Sequence, residues 1–214
     1  MSNLLPMLDL RVVAGDLELR GISDDDLGVL ADVALGGVHD PARTPFTVPW
    51  TDAPAEELPL RFAQYHWRTR ADWSPDSWAL NLGVWLDGRL LGVQGCTASD
   101  YLVTRTAETG SWLGRAAQGR GIGTRMRQML CAFLFDHLDA AVITSGYFVD
   151  NPASGAVSRK VGYRENGVER RQRRPGELAS CQHMVLSRDD FVRGEPIEVH
   201  GLAAFRLSIG LDSD

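Results

Sequence analysis

Two hydrophobic periods divide the chain into strands and helices. Leu17-Glu-Leu-Arg-Gly-Ile22 alternates at period two and predicts a first strand. Ser23 then predicts a helix start, its hydroxyl capping free amides while Asp26, three residues on, completes a capping-box spacing. Leu27, Leu30, Ala31 and Ala34 supply that helix's apolar face. Between His39 and Pro54, prolines 41, 45, 49 and 54 surround Phe46 and Trp50, a pattern that no regular element tolerates, so a loop is expected. Leu58, Phe62 and Tyr65 predict a second helix starting near Pro59. Trp78, Leu80, Leu82, Val84 and Leu86 share one strand face, Asp87-Gly88 supplies a hairpin turn and Arg89–Cys96 returns.

The second half continues the alternation. Arg105–Leu113 predicts a strand, followed by a glycine-rich turn and an amphipathic helix with Ile122, Met126, Met129, Leu130, Phe133 and Leu134 inward. Ala141–Val149 is a compact apolar strand of the type buried in a sheet centre. Pro152–Val161 predicts a short helix, and Arg164–Arg171 with Ser180–Ser187 a last strand pair. Met1–Gly15 carries no strong pattern. The order is β-α-α-β-β-β-α-β-α-β-β, an α/β protein with one domain over residues 1–194. Residues 195–214 form a C-terminal extension whose apolar positions are expected to pack on the domain or on a dimer partner.

Composition narrows the function classes. At 214 residues, 44% hydrophobic and 23% charged, the chain can bury a core and is neither disordered nor a disulfide mini-protein. A net charge of −6 argues against sequence-independent nucleic-acid binding, so no nucleic-acid partner is expected. The dense basic run Arg170-Arg-Gln-Arg-Arg174 reads as a solvated strand end. Cys96, Cys131 and Cys181 show no CxxC spacing, and the five histidines no HxxxH or HExxH spacing, so no metal site is expected. No run reaches the roughly 18 apolar residues of a membrane span, and the first residues lack the features of a signal peptide. The expectation is a cytoplasmic protein without a membrane partner.

The chemistry concentrates in Gln118-Gly-Arg-Gly-Ile-Gly-Thr124, where glycines 119, 121 and 123 stand between a strand and a helix. Glycine permits positive φ and close approach, and the helix dipole lies beneath the loop, so a pyrophosphate is its natural occupant. A Rossmann fingerprint would want its third glycine where Thr124 stands, and a Walker A loop needs Gly-Lys before Ser or Thr. The sole lysine, Lys160, follows Arg159, so neither motif fits.

Gln118-Gly119-Arg120-Gly121-Ile122-Gly123 resembles the Q/R-x-x-G-x-G/A pyrophosphate motif of the GNAT N-acyltransferases. Glu108-Thr-Gly-Ser-Trp-Leu113, Asn151-Pro-Ala-Ser154 and Lys160-Val-Gly-Tyr163 resemble motifs of the RimJ/RimL-type protein N-terminal acetyltransferases, and together the resemblance covers residues 17–186. It implies a GNAT fold: a strongly twisted mixed sheet of about seven strands, splayed at its centre and flanked by helices. It further implies acyl-CoA as co-substrate, acetyl-CoA or another short acyl-CoA such as succinyl-CoA, and direct attack by an amine acceptor, a protein N-terminus or a small molecule.

By the same resemblance, Glu108 is the candidate general base, and the backbone near Leu113 polarises the thioester carbonyl. Gln118, Gly119, Arg120, Gly121, Ile122, Gly123 and Thr124 bind the cofactor. Asn151 and Ser154 contact its pantetheine arm, with Ser154 also a candidate acid toward the thiolate, while Tyr163 is an alternative acid or a packing residue. Ser111 departs from the branch, which usually has an aromatic residue there. The loop around Phe46 and Trp50 is the candidate acceptor-site wall. A homodimer is expected from the family's habits and the apolar tail. The competing class is a non-catalytic acyl-CoA-binding module.

Overall fold

The computed structural model describes residues 4–212. Its strands are β1 (Arg11–Ala14), β2 (Leu17–Gly21), β3 (Ser77–Leu86), β4 (Arg89–Ser99), β5 (Thr106–Leu113), β6 (Val142–Phe148), β7 (Arg164–Arg174), β8 (Glu177–Ser187) and β9 (Glu198–His200). The α-helices are α1 (Asp24–Leu35), α2 (Leu58–Ala71), α3 (Tyr101–Thr104), α4 (Ile122–His137), α5 (Pro152–Val161) and α6 (Leu202–Ser208). All nine strands join one sheet in the order β7-β8-β6-β5-β4-β3-β2-β1-β9. Every neighbouring pair is antiparallel except β5 and β6.

The mixed α/β class and the expected element order hold, with additions. The sheet has nine strands where about seven were expected, because β1 and β9 are four and three residues long. So few residues leave a period-two pattern almost no length in which to register. The single-turn helix α3 was likewise unforeseen.

Local chemistry explains the other boundaries. The capping box at α1 is present: Asp26 N–H donates to Ser23 Oγ at 3.3 Å, and Ser23 N–H donates to the Asp26 carboxylate at 2.8 Å. Asp87 and Gly88 both have positive φ, 50° and 73°, as a two-residue type I′ turn requires. Helices cover both faces of the sheet. On one, α1 and α2 pack Leu27, Leu30 and Phe62 against Leu90 and Val93. On the other, α4 buries Met126, Leu130, Phe133 and Leu134 in the main core with residues of β1 to β6.

Residues beyond 194 join this second layer. Val12 pairs with Val199, and Phe205 is fully buried against Trp73, Trp78 and Phe133. Cys96, Cys131 and Cys181 are buried free thiols, and burial raises each thiol's pKa, that of Cys131 to about 11. Among the described residues no helix is long and apolar enough to cross a membrane.

Candidate active site

The site begins where the parallel pair fails. β5 and β6 stay in register from Thr106↔Val142 to Thr109↔Ser145 and then part. β5 continues to Leu113 paired only with β4, and β6 continues to Phe148 paired only with β8. The Thr109 carbonyl accepts from Ser145 Oγ at 3.0 Å, so it points toward β6. By strand alternation the backbone N–H groups of Ser111 and Leu113 point the same way, into the opened gap. The gap belongs to a cleft of about 700 Å³.

At the gap's mouth lies the glycine loop. Gly119 and Gly121 have φ of +72° and +80°, the left-handed region, and open space surrounds the positions a Cβ would take. Their glycines serve the backbone conformation rather than close packing. Gly121 is the N-cap of α4, and among the described residues no side chain caps that helix, whose first amides therefore face the cleft without a side-chain acceptor. This uncapped, open helix start fits a pyrophosphate.

Most of the residues singled out from the sequence converge here. Glu108, Leu113, Gln118, Gly119, Gly121, Gly123, Thr124, Asn151 and Ser154 all line the cleft. Two do not: the Arg120 side chain is exposed beside the loop, and Ile122 is buried in the core, anchoring the first turn of α4. The Gln118 amide donates to the carbonyls of Val38 and Leu113 at 2.6 and 2.8 Å, bracing the loop between β5 and the chain after α1. Asn151 caps α5 by accepting from Ser154 N–H at 3.3 Å. The Ser154 hydroxyl faces the cleft half-buried.

Glu108 lies on the sheet face opposite α4, exposed to the cleft, and none of its carboxylate oxygens has a hydrogen-bond or ion-pair partner among the described residues. Around it stand Arg171, Cys181 and His183 from the β7–β8 hairpin. His183 Nε2 is 2.9 Å from Glu169, whose carboxyl is held below its ordinary range by Arg171 first and His183 second. The facing wall is the proline-rich loop, with Phe46 on the cleft and Trp50 behind it, packed in tilted contacts against Phe46, Phe62 and Trp112 at 5.2 to 5.7 Å. Arg174 pins that loop, pairing with Asp52 at 2.5 Å and donating to the Pro41 carbonyl at 3.1 Å.

Tyr163 is absent from the cleft. Its hydroxyl is buried against Thr109 Oγ1 at 2.9 Å and Cys131 Sγ at 3.4 Å, and burial drives its pKa well up, so it is a packing residue. The arginine run is largely paired: Arg171 with Glu169, Arg173 with Asp150, Arg174 with Asp52.

Among the cleft residues that the sequence pattern does not mark as functional, two carry titratable or charged groups beside the gap, His183 and Arg127. His183 belongs to no metal-ligand spacing, and strand alternation with buried Gln182 and Met184 sets it on the Glu108 face. Arg127 is 4% exposed yet lines the cleft. Its signal was a cation inside the apolar stripe of α4, between Met126 and Met129.

A family description, the acetyltransferase (GNAT) domain, matches residues 16–164. YdaF of Bacillus subtilis (strain 168), named as a candidate ribosomal N-acetyltransferase, is 31% identical over 91 residues, 42% of this chain and 49% of that protein. The chain thus matches about half the length of this curated relative. Among solved structures, RimJ of Mycobacterium smegmatis in complex with CoA-disulfide superposes with a TM-score of 0.63 at 21% identity, over 85% of this chain and 86% of that one. RimL, a ribosomal-protein alpha-N acetyltransferase solved with coenzyme A, superposes at 0.66 and 20%, over 83% and 97%. At these identities the two structures establish a shared fold.

Proposed function

The chain belongs to the GNAT acetyltransferase family, and from that premise we propose that it transfers a short acyl group from acyl-CoA to a primary amine, with the amino terminus of a protein as the preferred acceptor. One observation carries the reading: the uncapped start of α4, the β5–β6 gap and the unpaired Glu108 carboxylate share a single cleft. The acceptor class follows the names of the RimJ, RimL and YdaF relatives.

Bound acyl-CoA supplies an activated acyl group as its thioester. The amides of Gly119 to Thr124 hold the pyrophosphate, Gln118 braces the loop, and the exposed Arg120 adds positive charge at the mouth. Ile122 acts from the core, holding the helix start in place. Asn151 and Ser154 line the path of the pantetheine arm at the start of α5. The Leu113 N–H, pointing into the gap, polarises the thioester carbonyl. Glu108 accepts the proton that the amine must lose, directly or through water, and the Ser154 hydroxyl protonates the departing thiolate.

The acceptor's own basicity sets how much help is needed. A lysine amine with a pKa near 10.4 costs about 4–5 kcal/mol to deprotonate at pH 7, whereas an α-amine near 8 costs about 1.4. A lone carboxylate such as Glu108 suits the second task better. As part of the same proposal, the protein is cytoplasmic, where three unpaired thiols stay reduced, and residues 195–214 extend a single domain of residues 1–194.

Glu108→Gln tests the assignment. Calorimetric affinity for CoA should stay within about twofold of wild type, while peptide-dependent CoA release should fall at least tenfold, about 1.4 kcal/mol of transition-state stabilisation. Unchanged release would remove Glu108 from the mechanism, and absence of CoA binding in the folded wild type would remove the acyltransferase reading.

A further inference from the structure

Arg127 is a buried cation without a buried anion. It projects from α4 to the apex of the gap, among the last paired residues of β5 and β6 and the first unpaired ones. Nε donates to Gln94 Oε1 at 3.3 Å, Nη1 to Thr109 Oγ1 and Ser145 Oγ, each at 3.1 Å, and Nη2 to Ser111 Oγ at 2.9 Å. All four partners are neutral, and among the described residues no carboxylate lies within ion-pair distance. A guanidinium has five N–H donors, so the second Nη2 N–H has no partner among these residues.

The hydroxyls around it differ in what their hydrogens do. Ser145 Oγ donates to the Thr109 carbonyl, and Thr109 Oγ1 donates to the Thr144 carbonyl at 3.1 Å. Ser111 Oγ accepts from Arg127, and its own hydrogen has no acceptor among the described residues. One N–H and one O–H are therefore left uncommitted side by side, on residues that both line the cleft. Burying a guanidinium is costly unless an anion accompanies it, and no anion among the described residues does so.

Resting on the acyltransferase reading, we propose that Arg127 and Ser111 form a carboxylate subsite at the apex of the β5–β6 gap, which selects acyl-CoA substrates whose acyl group ends in a carboxylate, succinyl-CoA being the representative. The thioester enters from the glycine loop and its acyl chain reaches the apex. There the carboxylate accepts from the open Nη2 N–H and from the Ser111 hydroxyl, a charge-assisted pair. The transfer itself is unchanged. The amine's lone pair forms the new C–N bond, the C–S bond breaks, and a proton lost by nitrogen restores the CoA thiol, leaving an amide with a free terminal carboxylate.

The test is calorimetric titration of the intact protein with free CoA, acetyl-CoA, butyryl-CoA and succinyl-CoA. Butyryl and succinyl chains have the same number of carbons and differ in terminal charge. Wild type should bind succinyl-CoA at least tenfold more tightly than butyryl-CoA, about 1.4 kcal/mol. Ser111→Ala should erode that advantage at least threefold, and Arg127→Met should abolish it, each leaving free CoA affinity within about twofold. The wild-type comparison stands even if Arg127→Met does not fold. Equal or weaker binding of succinyl-CoA, with free CoA and acetyl-CoA still bound, overturns the subsite and leaves the acyltransferase reading intact. Binding of none of the four overturns both.

Discussion

Single residues divide into those whose identity announces a candidate role and those whose surroundings suggest one. Glu108 and Ser154 belong to the first kind, because a carboxylate and a hydroxyl in recognisable motifs can be named before their geometry is known. Arg127 belongs to the second: only the fold brings Gln94, Thr109, Ser111 and Ser145 around it. His183 is similar, since its partner Glu169 lies across the β7–β8 ladder. His66 shows what burial alone does. It is 3% exposed, its ring tilted against Phe62 at 4.7 Å, and burial first, with Arg70 adding repulsion, lowers its pKa from 6.5 to about 4. In the folded protein it stays neutral while the unfolded chain takes up a proton, so stability is full above pH 6.5 and falls as pH drops toward 4. The loss approaches about 3 kcal/mol. Urea unfolding midpoints measured from pH 7 to pH 4 should show this decline, and His66→Phe should flatten it.

At the scale of elements, the long periodic segments were legible in the sequence and the short ones were not. α5 begins and ends where Pro152 and Gly162 dictate, with Gly162 in the left-handed conformation. β1, β9 and α3 lacked the length to show a period. The glycine loop was legible as a candidate anion site because the chemistry proposed for it is backbone chemistry, encoded by residues with no side chain. The opening between β5 and β6 was implied by the family resemblance, as a sheet splayed at its centre, but had no signal in the residue pattern itself, for it depends on two strands choosing different neighbours. The loop makes its own prediction. Gly121→Glu places a side chain in open space at φ +80°, so strain of about 1–2 kcal/mol is the main cost to the fold. Its carboxylate would stand at the proposed pyrophosphate position. CoA affinity should drop at least a hundredfold while circular dichroism stays native, and retained binding would move the pyrophosphate elsewhere.

For the molecule as a whole, the far end of the chain is structural material. Phe205 fills the space between Trp73, Trp78 and Phe133, and Phe205→Ala should cost about 3–5 kcal/mol, a large share of a domain's usual stability. Denaturant unfolding monitored by tryptophan fluorescence would register it, and a loss below 1 kcal/mol would mean that α6 contributes little. The same segment brings β9 to the outer edge of β1, and that pairing has a meaning in time. A ribosome completes β1 early, but its outer partner exists only once residue 200 has been added. Throughout that interval β1 offers open N–H and C=O groups, a template on which a neighbouring nascent chain can pair. The sheet thus closes over β1 only after every other strand has been made, so a nascent chain that stops short of β9 should leave this edge open to pairing.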